Sequence, residues 1–193
     1  MAEIKPDDKL VYKGHLTLVK RPYEGRDYDV VVSKDAAVML YIDENDLAYF
    51  TKQYRPAIEE EVLALPAETL DKQGLSPLEV MIEGLEEECG IRIDSSQVKS
   101  LGRLISTDGH DTERVYLFLA HGPGKKVGQR LEDCEKIDVI TIPFDSAYEM
   151  VINNQIEGSK TAYLVMYEKL RRLGSIKWNL KNLDLSEDLN HYI

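Results

Sequence analysis

The spacing of apolar and polar residues changes several times along the chain, and each change predicts an element. AAVMLYI (36–42) is continuously apolar and β-compatible, DEND (43–46) breaks it, and LAYFTKQY (47–54) resumes a strand-like pattern. Residues 29–54 therefore read as strands joined by a turn, and VLAL (62–65) adds a short apolar run ended by Pro66. The period then becomes helical. Leu78, Met81, Ile82 and Leu85 form one stripe, Ser76 and Glu79 make a capping box around Pro77, and Gly90 supplies the stop. This pattern predicts a helix over 77–89. Further strands are expected near 98–105, 114–120 and 137–142, and helices over 145–153 and 160–173. The Gly- and charge-rich HGPGKKVGQRLEDCEK between the last two strands reads as a long loop. Strands and helices interleave as an α/β (α+β) domain over 33–175. Residues 1–32 form a separate small β-element, and 176–193 form a tail without periodicity.

Composition narrows the classes. The chain is 43% hydrophobic and 31% charged, as in ordinary globular domains, and no apolar run approaches the ~20 residues of a membrane span. The first residues lack the apolar stretch of a signal peptide, and two cysteines, Cys89 and Cys134, give no disulfide framework. A cytoplasmic setting is expected. The formal charge of −11 opposes binding to nucleic acid, whose phosphates favour basic surfaces.

Acidic residues recur where chemistry is concentrated: Glu68, Glu87 and Glu88, Glu113 in STDGHDTER, and Asp133 and Glu135 in LEDCEK. Oxygen ligands without clustered His or Cys favour Mg²⁺ or Mn²⁺, ions that commonly serve phosphate chemistry. With 35 Asp and Glu in the chain, a plain surface role for many of them stays open.

The order of these segments resembles a known family. LPAETLDKQGLSPLEVMIEGLEEECGI (65–91) is similar to the Nudix box, G-x5-E-x7-R-E-U-x-E-E-x-G-U with U aliphatic, and LEEECGI (85–91) matches its end. KQYRPA (52–57), STDGHDTERVYLFLA (106–120), LEDCEKIDV (131–139) and EGSKTAYLV (157–165) resemble segments of the ADP-ribose and nucleotide-sugar pyrophosphatase branch. The resemblance implies a Nudix fold, a mixed sheet sandwiched by helices, and a homodimer that pairs through the N-terminal strands. It implies a nucleotide-sugar substrate and a divalent cation held by Glu87 and Glu88, with Glu135 as a further ligand. Glu88, Glu135 and Asp133 would carry catalysis, and Arg55 and Glu113 would contact substrate. The box departs from its pattern at four places, one being Leu75 or Ser76 at its first glutamate. Gly84 stands at a metal-binding glutamate, Glu83 at the bracing arginine, and Glu68 at the glycine. Glu68 or Glu83 could replace the missing ligand. Alternatively, the site is spent and the chain is a nucleotide-binding module without hydrolysis.

Overall fold

The computed structural model describes residues 4–14, 16–131 and 135–175. The first three strands, β1 (Lys9–Lys13), β2 (Thr17–Tyr23) and β3 (Arg26–Val32), form an antiparallel sheet of their own. The main sheet contains β4 (Ala36–Ile42), β5 (Leu47–Arg55), β6 (Glu60–Ala64), β7 (Ala67–Thr69), β9 (Val98–Ile105), β10 (Arg114–His121) and β12 (Asp138–Pro143). Its path runs β12-β5-β4-β10-β9, with β6 on β5 and β7 on β4. Only the β4–β10 pair in this sheet is parallel, so the sheet is mixed. Two short strands, β8 (Ile91–Arg92) and β11 (Lys125–Lys126), pair separately. The second of them lies in the stretch expected to be a loop throughout.

Helix α1 (Pro77–Cys89) covers one face of the main sheet, and α2 (Phe144–Ile152) and α3 (Ser159–Arg172) cover the other. Strand periodicity explains the arrangement. Ala37, Met39 and Tyr41 of β4 pack with Met81, Leu85 and Cys89 of α1, whereas Ala36, Val38, Leu40 and Ile42 join Phe144, Ala147, Leu164 and Val165. All seven β4 residues are buried because both faces are covered, and this is why AAVMLYI shows no alternation.

Helix α1 begins and ends as its sequence requires. Ser76 Oγ accepts the Glu79 N–H, the Glu79 side chain accepts the Ser76 N–H, and Gly90 closes the helix at φ +65°. A side chain at Gly90 would also run into the backbone of Gly128, so glycine is required there twice over. Helix α3 carries a fully buried charge. Glu168 accepts from Arg171 at 2.6 and 2.7 Å, from Arg172 at 2.7 Å, and meets His121 Nε2 at 3.1 Å. These hydrogen bonds hold its carboxyl well below the usual range despite the opposing cost of burial, which is the largest single influence. No helix among the described residues is long and apolar enough to cross a membrane.

Candidate active site

Strand register delivers the first residue of the site. Glu68 of β7 pairs with Ala37 of β4, and paired residues of an antiparallel ladder point to the same face. Ala37 faces α1, so Glu68 does too. The helix residue it meets is Gly84. A Cβ built on Gly84 would overlap Cγ, Cδ and Oε1 of Glu68. The glutamate on the strand therefore fills the space that a side chain on the helix would take. The sequence offered no structural return for Gly84, whose helix propensity lies ~1 kcal/mol below that of Ala. Its missing Cβ makes room for the Glu68 carboxylate.

One turn further along the same rail of α1, Glu88 reaches back to the strand, and Glu88 Oε2 accepts the Ala67 N–H at 3.3 Å. Glu68 and Glu88 are both half-buried. Burial pushes Glu68 up to about 7, partly offset by Lys72 and reinforced by Glu87, Glu135 and Asp71. Burial pushes Glu88 up to about 8, reinforced by Glu68 and Glu135 and opposed by the Ala67 hydrogen bond and Arg55. Among the described residues neither carboxylate has an ion-pair partner within 4.0 Å. Two carboxyls thus share a poorly solvated place that disfavours their charged forms, without a contacting cation among the described residues.

The outer rail of α1 is different. Glu83 and Glu87, one turn apart, share a single ammonium: Lys72 Nζ donates to both at 3.1 Å. The other Glu87 oxygen lies 4.0 Å from Arg130. The helix therefore separates its carboxylates into an inner pair with Glu68 and an outer pair already bound to a cation. Glu86 belongs to neither, since it is bound by Arg92 at 2.6 and 2.8 Å and by Arg130 at 3.1 Å.

Residues 127–130 are pinned to the end of this helix. Val127 N–H donates to Gly90, Arg130 N–H to Glu87, and Gln129 Nε2 to the carbonyls of Glu88 and Ile137. This pinning carries Glu135 close enough to raise both inner carboxyls. Asp133 lies outside the described residues, as does Cys134. Arg55 is exposed at the end of β5 and acts on Glu88 through its charge. Glu113 is held in the loop before β10: Ser106 Oγ donates to it at 2.5 Å and Lys160 Nζ at 3.1 Å. Sequence reasoning passed over Lys72, Lys160 and Ser106. The signal for Lys72 was available, because it is the one lysine in the segment between Glu68 and Glu83.

All donors in this cluster are oxygens, a set suited to a hard divalent cation rather than to zinc or copper. The uncompensated Glu68–Glu88 pair is where such an ion would relieve repulsion. Among the described residues no three acidic, His or Cys side chains are already closed round a metal position. The donor chemistry fits, and ligation would draw the carboxylates together.

No family model matches the sequence. It is 28% identical over 144 residues to the methanol dehydrogenase activator of Bacillus methanolicus, covering 74% of this chain and 76% of that one. It is 25% identical over 144 residues to the ADP-ribose pyrophosphatase of Bacillus subtilis (strain 168), with the same shares covered. The GDP-mannose pyrophosphatase of Enterobacter sp. (strain 638) is 29% identical over 147 residues, covering 72% and 74%. The crystal structure of an ADP compounds hydrolase superposes with a TM-score of 0.70 at 14% identity, over 89% of this chain and 95% of that one. This match shows the fold, a mixed sheet between helices as expected for the Nudix fold, with an acidic helix beside the central strands. The resemblance to the Nudix superfamily read from the sequence is supported by these pyrophosphatase relatives and by the shared fold.

Proposed function

We propose that the protein hydrolyses the pyrophosphate bond of a nucleoside diphosphate sugar in the presence of Mg²⁺ or Mn²⁺. The observation that carries this reading is the Glu68 carboxylate seated over Gly84, beside Glu88. It supports a rebuilt acidic site rather than a decayed one, because the residue lost from the helix is regained from the strand. The two substitutions are reciprocal.

In this reading Glu68, Glu88 and Glu135 hold the ion. When bound, it supplies charge neutralisation for the pyrophosphate and lowers the pKa of water. Arg55 at the mouth offers a guanidinium to phosphate oxygens. Glu135 and Asp133 accept the proton of the attacking water. Lys160 and Ser106 fix Glu113, leaving one carboxylate edge to orient the sugar or ribose hydroxyls. Water oxygen bonds to one phosphorus while the bridging P–O bond breaks, giving a nucleoside monophosphate and a sugar phosphate. Names of relatives support the substrate class: two act on ADP-ribose and GDP-mannose. Purified protein incubated with ADP-ribose, GDP-mannose and UDP-glucose should release AMP, GMP or UMP with Mg²⁺ or Mn²⁺. Chelator and Glu88→Gln should both abolish the release. Undiminished turnover by the variant would refute the assignment.

A second reading is favoured by the Lys72 bridge, which already occupies Glu87. The same fold could bind a nucleotide without cleaving it and act on a partner, as the name of the B. methanolicus relative suggests for that protein. Saturable ligand binding with no phosphate-containing product would select it.

The active form is a homodimer in this proposal. The β1–β3 sheet exposes Leu10, Val11 and Tyr12, apolar side chains that a second copy would cover. Sedimentation at about twice the chain mass of 22.0 kDa is expected. A monomer at micromolar concentration would contradict it.

A further inference from the structure

Resting on the metal-dependent reading above, we propose that Lys72 is a tethered cation that keeps the outer pair of helix carboxylates from taking a metal ion. The divalent ion is thereby confined to the inner side, with Glu68 and Glu88. The geometry is direct. One ammonium lies 3.1 Å from Glu83 and 3.1 Å from Glu87, and the Lys72 side chain is only 34% exposed. Glu83 and Glu87 are adjacent on one helix face, so the two carboxylates could otherwise offer a joint site. Lys72 comes from the loop between β7 and α1, and its bridge also fastens that loop to the helix. On the inner side no contacting cation is present among the described residues. The chain thus neutralises one half of its acidic cluster internally and leaves the other half for a ligand. An ion approaching Glu87 would have to displace the ammonium and then face its charge.

Lys72 is a positioning residue here, and the number and affinity of bound ions report its role independently of turnover. Mn²⁺ would be titrated into the full chain by calorimetry and by loss of the free-ion EPR signal, at one pH. Wild type would be compared with Lys72→Arg, Lys72→Met, Lys72→Gln and the Lys72→Met/Glu87→Gln double variant. Loss of the lysine charge should add a second Mn²⁺, or tighten binding roughly tenfold, in both Lys72→Met and Lys72→Gln. Lys72→Arg should match wild type, and the double variant should return to wild-type stoichiometry. Unchanged or weaker binding in both uncharged variants would overturn the proposal, as would a gain confined to Lys72→Met. The two readings fail separately. Mn²⁺ binding by wild type that ignores the charge at position 72 sinks only the role of Lys72. No binding by wild type, with a gain in Lys72→Met, sinks the metal-dependent function and keeps the blocking role.

Discussion

Glu68 and Gly84 show how a carboxylate on a strand can occupy the space that a side chain on the neighbouring helix would take. Read along the chain, the two positions look like two losses, a glycine replaced by a charge and a ligand replaced by nothing. The Glu68–Ala37 register joins them into one exchange. Sequence could identify both departures but could not relate them, because the relation depends on which strand pairs with β4. Glu83, the other candidate to replace the lost ligand, points to Lys72 on the outer rail. The inner carboxyls also make a pH prediction. Glu88 has a folded pKa raised to about 8, so the folded state holds its proton more tightly than the unfolded chain does. Its contribution is therefore fully present below the unfolded value near 4.5 and is lost as pH rises through about 8. In chelator, wild type should lose roughly 3 °C or more of Tm between pH 5.5 and 8.5 relative to Glu88→Gln. Parallel melting curves for the two proteins would show that Glu88 is not strained by its surroundings.

At the scale of elements, helix α1 was fully legible because its signals are local. Capping box, apolar stripe and terminal glycine all lie within 15 residues, 76–90. Helix α3 was legible as a helix, but the partners of Glu168 were not, because His121 ends β10 and Asp46, bound to Arg172, lies in the β4–β5 turn. The cluster ties α3 to both. Glu168→Gln should lower stability by about 2 kcal/mol, less than a wholly buried pair would lose because Arg171 and Arg172 can rehydrate. That corresponds to a drop of roughly 5 °C in Tm near neutral pH. Since the Glu168 pKa is lowered on folding, its contribution is present above the unfolded value and is lost as pH falls through the folded one. The gap between wild type and variant should accordingly narrow in acid. A gap that persists undiminished below pH 3 would assign the loss to packing rather than charge.

Across the whole molecule, three of the segments that resembled the pyrophosphatase branch come together around Glu88: β5 with Arg55, the stretch from β7 to α1 with Glu68, and the loop with Glu135. Their order was visible in the chain, while their electrostatic division was not. Among the described residues the inner carboxylates lack contacting cations and the outer ones share Lys72, a distinction that arises only when the β7–α1 loop folds back on the helix. The central claim is that Glu68 supplies the carboxylate missing from position 84. It is tested most directly by metal-dependent nucleoside monophosphate release from ADP-ribose and GDP-mannose, compared among wild type, Glu68→Gly, Gly84→Glu and the double variant. Each single variant should lose activity by on the order of a hundredfold, one for want of a carboxylate and the other by crowding two into one space. The double variant should recover most of it. Full activity in Glu68→Gly, or a double variant no better than either single one, would contradict the exchange.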